Sequence, residues 1–415
     1  MSPKLRVCIQ WPRFGPYHMG RLQAVHERLA ADGMELVALE TASKDALYAW
    51  SEMEATTDFQ RVQVFPGQVF ESIPPAVMHA EVVSALDRMD PDIVFIHTYS
   101  FPDSRACLEW CKKRNRSAVV MTDSKEDDAP RNGFREWLKS GLIQSYDAAL
   151  LGGTPQRRYF EKLGFPPDGI FLGYDVVDNA YFRQAAEKSK ASDLSGLPGL
   201  GPGDGPDHAP FFLASNRFIP AKNLDRLLMA YSAYRRLSDN PWRLIMLGDG
   251  ELRPQLEAAA PDGVVFAGFR QIEDIPAYYG AAACFIHPCL KDTWALVVNE
   301  AMACGLPVLV STRAGCHVDL VEHGENGYRF DPEDVGTMTS LMMRVAEHTD
   351  WRKRAGRRSL EIIAEWDLDR FVSGVYDAMV YCKETPRVPY HARGRAIVAL
   401  MKRTRSTTAF HTAEI

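Results

Sequence analysis

Two carboxylate residues, Asp292 and Glu300, stand eight residues apart in the segment DTWALVVNE, just before the Gly-Pro break of ACGLP. The surrounding pattern predicts a strand, a loop, a helix and a strand, with Asp292 at the helix N-cap. The helix would begin near Thr293 and Trp294 and end by Gly305. At about 1.5 Å per residue, Glu300 would lie about 12 Å along the axis from Asp292. The amides and the dipole at the helix start would bind an anion.

This spacing is similar to the length of a sugar-diphosphate-ribose unit. One acid would bind the sugar hydroxyls, the other would bind the ribose hydroxyls, and the helix start would bind the phosphates between them. Two cations support this interpretation, because Arg217 and Lys222 lie in the loop that follows the strand of PFFLASN. Two positive charges at a strand end suit a diphosphate, although a solvated basic turn would give the same pattern.

Length and composition limit the classes of protein that fit. A chain of 415 residues predicts two domains, and 46% hydrophobic with 10% aromatic residues is typical of a folded soluble protein. A net charge of -6 argues against a nucleic-acid binder. The sequence has neither an apolar run of membrane-spanning length nor an N-terminal signal peptide, so a cytoplasmic location is expected.

The eight cysteines form no CxxC pair and no zinc-ligand spacing with histidine. We therefore expect reduced, mostly buried thiols and no bound metal.

Strand patterns alternate with helical patterns along most of the chain, which predicts an α/β protein with parallel sheets. The strand candidates are LRVCIQW, MELVALE, PDIVFIH, SAVVMT, DAALLGG and GIFLGYD in the first half and PFFLASN, WRLIMLG, GVVFAGF, ACFIHP, PVLVST and GYRF in the second. A Gly/Pro-rich stretch at 194–210 interrupts the alternation and predicts a linker. We expect two doubly wound Rossmann-like domains facing across a cleft, the first at 1–193 and the second at 211–365. A C-terminal helix at 366–390 would return to the first domain, and a basic tail would follow at 391–415.

With these motifs, the second half of the chain resembles the retaining glycosyltransferases of family four, which have the two-domain GT-B fold. Their signature is a pair of glutamates separated by seven residues, and DTWALVVNE keeps that spacing with an aspartate in the first place. The pair of Arg217 and Lys222, the MLGDGELRPQLE turn, VFAGF and GENGYRFDPED are also similar. The first half resembles the family more weakly, through PDIVFIH and GYDVVDNAYF.

The resemblance implies roles for individual residues. Glu300 would bind the ribose of a nucleotide-sugar donor, and Arg217 with Lys222 would bind its diphosphate. Asp292 and the amides of Ala295 and Leu296 would contact the sugar and the adjacent phosphate. The same analogy adds contacts from other parts of the chain: His97, in the first domain, would hydrogen-bond the donor sugar, and the base would lie near Phe269 and Arg270.

Several positions depart from the family pattern. Asp292 is one methylene shorter than the usual glutamate, and Ala295 replaces the usual glycine, which narrows the approach to the phosphate. The N-terminal loop WPRFGPYHMGR has few glycines. The donor contact that the family makes from this loop would come from Gly15, and Arg13 or His18 would face the acceptor.

The resemblance implies transfer of a sugar, with retention, from a UDP- or GDP-linked donor to a saccharide, lipid-linked or small-molecule acceptor, in glycan or polysaccharide biosynthesis. No cofactor or metal is required, because protein cations would stabilise the leaving group. A sugar-nucleotide epimerase, a phosphorylase or a non-catalytic nucleotide-sugar-binding protein stays open as an alternative. The segment RNGFREWLKSGL predicts a surface helix, and together with the basic tail it leaves peripheral membrane contact open.

Overall fold

The computed structural model describes residues 4–46, 50, 53, 57–190, 194, 196–201, 204–205 and 209–403. The chain divides into two compact units. The first contains Met1–Val176 and Leu368–Ile415, and the second contains Val177–Asp367.

The first unit is built on a parallel sheet with helices on its faces. Its strands are β1 (Arg6–Trp11), β2 (Glu35–Lys44), β3 (Gln60–Val69), β4 (Ile93–His97), β5 (Ser117–Thr122), β6 (Ala148–Leu151) and β7 (Ile170–Leu172). Its N-terminal helices are α1 (Pro16–Ala31), α2 (Pro75–Met89), α3 (Pro102–Arg114), α4 (Gly133–Ile143) and α5 (Thr154–Lys162). The strand order is β3-β2-β1-β4-β5-β6-β7, and apolar side chains of the central strands are buried on both faces.

Strand β3 was missed by the sequence analysis. It is an edge strand in which Phe65 is the one buried residue, so it lacks the continuous apolar run of the central strands. It also contains Pro66 and Gly67, and such a pair is typical of a turn.

The second unit repeats this architecture with six parallel strands. These are β8 (Phe211–Ser215), β9 (Arg243–Leu247), β10 (Val264–Gly268), β11 (Cys284–His287), β12 (Val308–Ser311) and β13 (Gly327–Phe330). The helices are α6 (Asn179–Lys190), α7 (Leu224–Leu237), α8 (Arg253–Ala259), α9 (Ile275–Ala281), α10 (Leu296–Ala303), α11 (His317–Leu320), α12 (Val335–Glu347) and α13 (Thr349–Ile363). The order is β10-β9-β8-β11-β12-β13.

Both sheets have the doubly wound order, which confirms the predicted α/β fold class. The order reverses between β1 and β4 in the first unit and between β8 and β11 in the second. At such a switch point the loops leave the sheet in opposite directions and open a crevice outside the carboxyl ends of the strands. The ends of these four strands are therefore where a ligand site is expected.

The unit boundary differs from the predicted division at residue 193. Helix α6 packs in the second unit, where Phe182 is buried edge-on against Tyr279. A side chain on Gly280 would meet the Ala186 carbonyl oxygen at 2.8 Å, so the glycine permits this close approach. The described part of the predicted linker also packs on the second unit, because Tyr278 Oη donates to the Pro198 carbonyl at 2.9 Å.

The chain returns to the first unit through α14 (Leu368–Glu384) and α15 (Ala392–Arg403). Phe371 stacks with Trp11, and Gly374 lies against Leu150 and the Leu172 carbonyl. Within the described residues, no helix combines the length and the hydropathy that crossing a membrane requires.

Candidate active site

The candidate site of the second unit lies at the carboxyl ends of β8 and β11. These strands pair in parallel through Phe212 with Cys284 and Leu213 with Phe285, so their ends are adjacent. Arg217 lies two residues beyond β8, and a short 3-10 helix at Pro220–Lys222 follows it. The loop after β11 carries Asp292.

Two titratable side chains, those of Lys222 and His287, contact the carboxylate of Asp292. Its Oδ2 accepts a hydrogen bond from Lys222 Nζ at 2.5 Å and lies 2.9 Å from His287 Nε2. The side chains of Lys222 and Asp292 are only 13% and 14% exposed, and that of His287 is 1% exposed. Removing charges from water to this extent is costly unless they are paired, and here they are.

The pKa shifts follow from this arrangement. Burial by itself lowers the pKa of Lys222, but the charges of Asp292 and Cys289 outweigh it, so the pKa is raised. Burial by itself raises the pKa of Asp292. The charge of Lys222 and the hydrogen bonds from Lys222 and His287 outweigh this effect, so the pKa of Asp292 is lowered. The charge of Arg217, which lies in the same loop, acts in the opposite direction and lowers the pKa of Lys222. At neutral pH the pair is an ammonium on a carboxylate.

His287 was not among the predicted site residues. Burial is the main cause of its lowered pKa, so the imidazole is neutral. Because the Asp292 carboxylate accepts at Nε2, the proton is on Nε2, and the buried Nδ1 has no hydrogen-bond partner within the described part of the chain. Its position at the end of the strand pattern ACFIHP, matching His97 at the end of PDIVFIH, is the signal that could have found it.

Polar atoms of His287, Cys289 and Asp292 lie within 4.8 Å of one another, which is a spacing that could hold a metal ion. Nitrogen, sulfur and carboxylate ligands together would suit zinc. However, the Lys222 ammonium already contacts the Asp292 carboxylate, and a metal ion would have to compete with it.

Asn216, between β8 and Arg217, was also missed. Its side chain is 8% exposed, yet neither its amide nitrogen nor its amide oxygen has a hydrogen-bond partner in the described structure. Gly248 packs on its backbone, where a Cβ would meet the Asn216 carbonyl oxygen at 1.7 Å. An unpaired buried amide is costly, so its presence at a strand end indicates a position that a polar ligand or water completes.

The predicted start of the following helix is wrong. Helix α10 begins at Leu296, and Asp292 does not cap it. The N-cap position is Ala295, whose φ of 87° lies in the left-handed region that disfavours a residue with a Cβ. Only the part after Ala295 is helical, so a helical rise cannot be applied to the whole interval from Asp292 to Glu300. Helix α10 ends at Ala303, in agreement with the predicted stop before Gly305.

Glu300 is 2% exposed and lies on α10. Its Oε2 accepts a hydrogen bond from Tyr279 Oη at 2.8 Å. Tyr279, on α9, was not predicted. The residues proposed to be near the base follow β10 at the edge of the sheet, where the Arg270 guanidinium donates to the Ala267 carbonyl while its Nε is buried without a partner among the described residues.

The first unit brings the other predicted residues together at the ends of β1 and β4. His97 ends β4, and its Nδ1 lies 2.8 Å from Tyr174 Oη. The Gly15 amide donates to His18 Nδ1 at 3.0 Å. Burial, with the charges of Arg21, His97 and Arg13, lowers the pKa of His18 well below its usual value.

Arg13, predicted to face an acceptor, forms a salt bridge with Asp45 at 3.0 Å and is 8% exposed. Its guanidinium also donates to the Trp50 carbonyl. These contacts hold the loop after β1 to the segment after β2. The observed role of the Arg13 side chain is therefore structural.

The chain is similar to several known proteins. The model of the family described as glycosyl transferases group 1 matches residues 204–361. The O-antigen chain mannosyltransferase B of Escherichia coli is 30% identical over 147 residues, which cover 34% of this chain and 38% of that protein. The chain spans less than half the length of the curated relatives it matches.

Solved structures extend the similarity to both units. The sucrose-phosphate synthase of Thermosynechococcus elongatus superposes with a TM-score of 0.68 at 16% identity, covering 92% of this chain and 99% of that one. HepE of Anabaena, solved with UDP-glucose, has a TM-score of 0.66 at 16% identity and covers 91% and 99% of the two chains. Residues 204–361 therefore match the family of glycosyl transferases group 1, and the chain shares the fold of the solved sucrose-phosphate synthase and HepE structures.

Proposed function

We propose that this protein transfers a sugar from a nucleotide-diphosphate donor to an acceptor, with retention of the anomeric configuration. The observation that carries the proposal is the Lys222 and Asp292 pair beside Arg217, at the switch point of a group 1 glycosyltransferase domain. The unpaired amide of Asn216 supports a polar ligand at the same strand end.

The two cations would act on the leaving diphosphate. Negative charge on that group grows as the glycosidic bond breaks, and a preorganised ammonium and guanidinium stabilise it in the transition state. Asp292 Oδ2 holds the ammonium of Lys222 in place. The other carboxylate oxygen, Oδ1, has no protein partner within the described residues, and we assign it to a hydroxyl of the donor sugar.

We assign Glu300 to the ribose hydroxyls, with the Tyr279 hydroxyl fixing one carboxylate oxygen. The amides of Ala295 and Leu296 would contact the phosphate next to the sugar, and Phe269 with Arg270 would lie near the base. The protein cations supply positive charge that a metal ion supplies in other transferases, so we propose that no metal is required. HepE of Anabaena was solved with UDP-glucose, which makes UDP-sugars the first donors to test and GDP-sugars the second.

We propose a saccharide or lipid-linked acceptor, in glycan biosynthesis on the cytoplasmic side of a membrane. All eight cysteines lie in the described part of the chain and are free thiols, as a reducing compartment requires. His97 and His18 are the first-unit side chains assigned to the substrates, His97 to the donor sugar and His18 to the acceptor.

Thermal shift with UDP, GDP and ADP tests the first step, because a ligand that binds the folded state raises the melting temperature by mass action. We expect one nucleotide to stabilise the protein. Glu300→Ala should reduce that shift, whereas Asp292→Ala should mainly weaken binding of the intact sugar nucleotide. Equal loss of nucleoside diphosphate binding in both variants would contradict the assigned roles of the two acids.

The products distinguish the enzyme classes that stay open. A glycosyltransferase releases nucleoside diphosphate only with an acceptor, an epimerase rearranges the donor alone, and a phosphorylase replaces the nucleotide by free phosphate. A binding protein would take up donor and release nothing.

A further inference from the structure

The backbone of His97 is held on both sides in the first unit. Its amide donates to Gln10 Oε1 at 3.2 Å, and its carbonyl accepts from Ser104 Oγ. The Gln10 amide nitrogen in turn donates to the buried Asp103 at 2.8 Å. This contact orients the Gln10 amide so that its oxygen faces the backbone of His97. The next residue, Thr98, has a φ of 50°, in the left-handed region.

The ring of His97 is held by a chain of two hydrogen bonds. Trp11 Nε1 lies 2.9 Å from Tyr174 Oη, and Tyr174 Oη lies 2.8 Å from His97 Nδ1. Trp11 is fully buried and Tyr174 is 4% exposed. An indole N–H can only donate, so the Tyr174 oxygen accepts from Trp11.

The direction of the second bond follows from the proton of the tyrosine. Burial raises the pKa of Tyr174, so its hydroxyl is protonated at neutral pH. Within the described residues, His97 Nδ1 is the acceptor in reach of that hydroxyl. Tyr174 therefore donates to Nδ1, and the ring proton of a neutral His97 must be on Nε2.

We propose that Tyr174, oriented by Trp11, is a positioning residue that holds His97 as the neutral Nε2–H tautomer. His97 then presents a hydrogen-bond donor and no basic nitrogen to its ligand. The ligand group must be an acceptor, such as a hydroxyl or carbonyl oxygen of a sugar. The tautomer itself is independent of the proposed glycosyl transfer, and only its use on the donor sugar rests on that proposed function.

Nitrogen-15 NMR of the full chain tests the tautomer without any substrate. Long-range correlations from the ring protons to the two ring nitrogens distinguish Nε2–H from Nδ1–H, and the His97→Gln variant identifies the His97 signals. We expect Nε2–H in the unmodified protein and a mixture of both tautomers in Tyr174→Phe. Trp11→Phe should change the His97 signals in the same direction and serves if Tyr174→Phe fails to fold.

A second measurement tests whether positioning matters to turnover. Tyr174→Phe should lower kcat/KM by about tenfold, the effect of about one hydrogen bond. Tyr146→Phe is the matched control, because Tyr146 is a buried tyrosine of the same unit whose hydroxyl has no hydrogen-bond partner in the described structure. Loss of the Tyr146 hydroxyl should leave kcat/KM within about twofold of that of the unmodified protein.

The conservative variant His97→Gln provides the rescue. A glutamine amide nitrogen can stand near the Nε2 position and donates without needing a tautomer, so His97→Gln should exceed His97→Ala in turnover. In the His97→Gln background, Tyr174→Phe should have little further effect, since the two residues act as a pair.

Three results would overturn the inference: a His97 proton on Nδ1, a tautomer that neither Tyr174→Phe nor Trp11→Phe changes, or equal kinetic losses in Tyr174→Phe and Tyr146→Phe. Absence of transfer with every donor would count against the proposed function instead, because the NMR result does not depend on it.

Discussion

At the scale of single residues, the second unit is organised by one carboxylate with two partners. Asp292 holds Lys222 by a short ion pair and His287 by a hydrogen bond. A longer glutamate at this position would place its carboxylate farther from the backbone. The shorter side chain of Asp292 keeps the carboxylate nearer the backbone. There it positions the ammonium of Lys222, the cation that we assign to the leaving group.

Replacing either cation should reduce turnover more than binding. Lys222→Ala and Arg217→Ala each should lower kcat by about a hundredfold, since a preorganised charge partner of the transition state contributes on the order of 3 kcal/mol. The donor KM should rise less. Steady-state kinetics on both variants measures the two constants.

Arg253→Ala is the control for these variants. Arg253 is a cation of the same unit in surface ion pairs with Asp249 and Glu257, and such pairs contribute little. A kcat near that of the unmodified protein for Lys222→Ala or Arg217→Ala would remove that residue from the mechanism.

His287 should make stability depend on pH. The folded state lowers its pKa, whereas an unfolded histidine titrates near about 6.5. As pH falls below about 6.5, the unfolded chain takes up a proton that the folded protein does not, and stability decreases by up to about 1.4 kcal/mol per pH unit until the lowered pKa is reached. The lowered pKa of Asp292 acts at more acidic pH, where stability is lost as that carboxylate is protonated.

His287→Gln keeps a donor for Asp292 and removes the titration. Between pH 7 and pH 5 its melting temperature should therefore fall less than that of the unmodified protein. Scanning calorimetry at several pH values compares them, with the exposed His348→Gln as control. Parallel curves for all three proteins would refute the assignment.

At the scale of elements, strand ends and one helix start determine the site. β4 and β11 occupy equivalent places in the two sheets, and each ends in a histidine whose ring is held by hydrogen bonds. The helix start is less regular, because Ala295 adopts a left-handed conformation before α10. Trp294 explains part of this geometry, since its indole N–H donates to Asn299 at 2.9 Å and its ring packs on Trp366.

Replacement by glycine should change the free energy of unfolding differently at two alanines of this region. At Ala295, relief of the left-handed strain, about 1–2 kcal/mol, offsets the lost methyl contact and the greater freedom of the unfolded glycine. We expect the free energy of unfolding of Ala295→Gly to stay within about 0.5 kcal/mol.

Ala301→Gly lies inside the same helix without strain and should lose at least about 1 kcal/mol. Denaturant unfolding of both variants measures the contrast. Equal losses would mean that the conformation of Ala295 is not strained.

At the scale of the whole molecule, the first unit carries an apolar surface that the sequence placed on a helix. Phe134 and Trp137 on α4 are 67% and 52% exposed and stack on each other. The neighbouring α15 packs on α4, and the Arg393 guanidinium lies 5.0 Å from the centre of the Trp137 ring. Exposed aromatic rings beside basic side chains suit the interface of an anionic membrane.

Cosedimentation with vesicles tests this surface. We expect binding to vesicles that contain anionic phospholipid, weaker binding at high salt, and at least about a fivefold loss in the double variant Phe134→Ser with Trp137→Ser. Met229→Ser with Leu237→Ser is the control, since these α7 residues of the second unit are 59% and 65% exposed. Equal binding by both double variants would mean that α4 is not the contact surface.

The sequence by itself determined the positions of the strands of both sheets apart from β3, because strands buried in a parallel sheet have continuous apolar runs. It also placed Arg217, Lys222 and Asp292 in loops at strand ends, and such loops converge at a switch point, where Lys222 contacts Asp292. These predictions depend on local pattern and on a topology that the alternation of elements implies.

Tertiary structure decided what no local pattern contains. The contact of Lys222 with Asp292 spans 70 residues of sequence, and the pairing of Tyr174 with His97 spans 77 residues. The start of α10 at Leu296 was decided by the conformation of Ala295, against the N-cap preference of Asp292. Helix α6 joined the second unit because Phe182 and Gly280 allow close packing there, which is a property of two surfaces and not of either sequence alone.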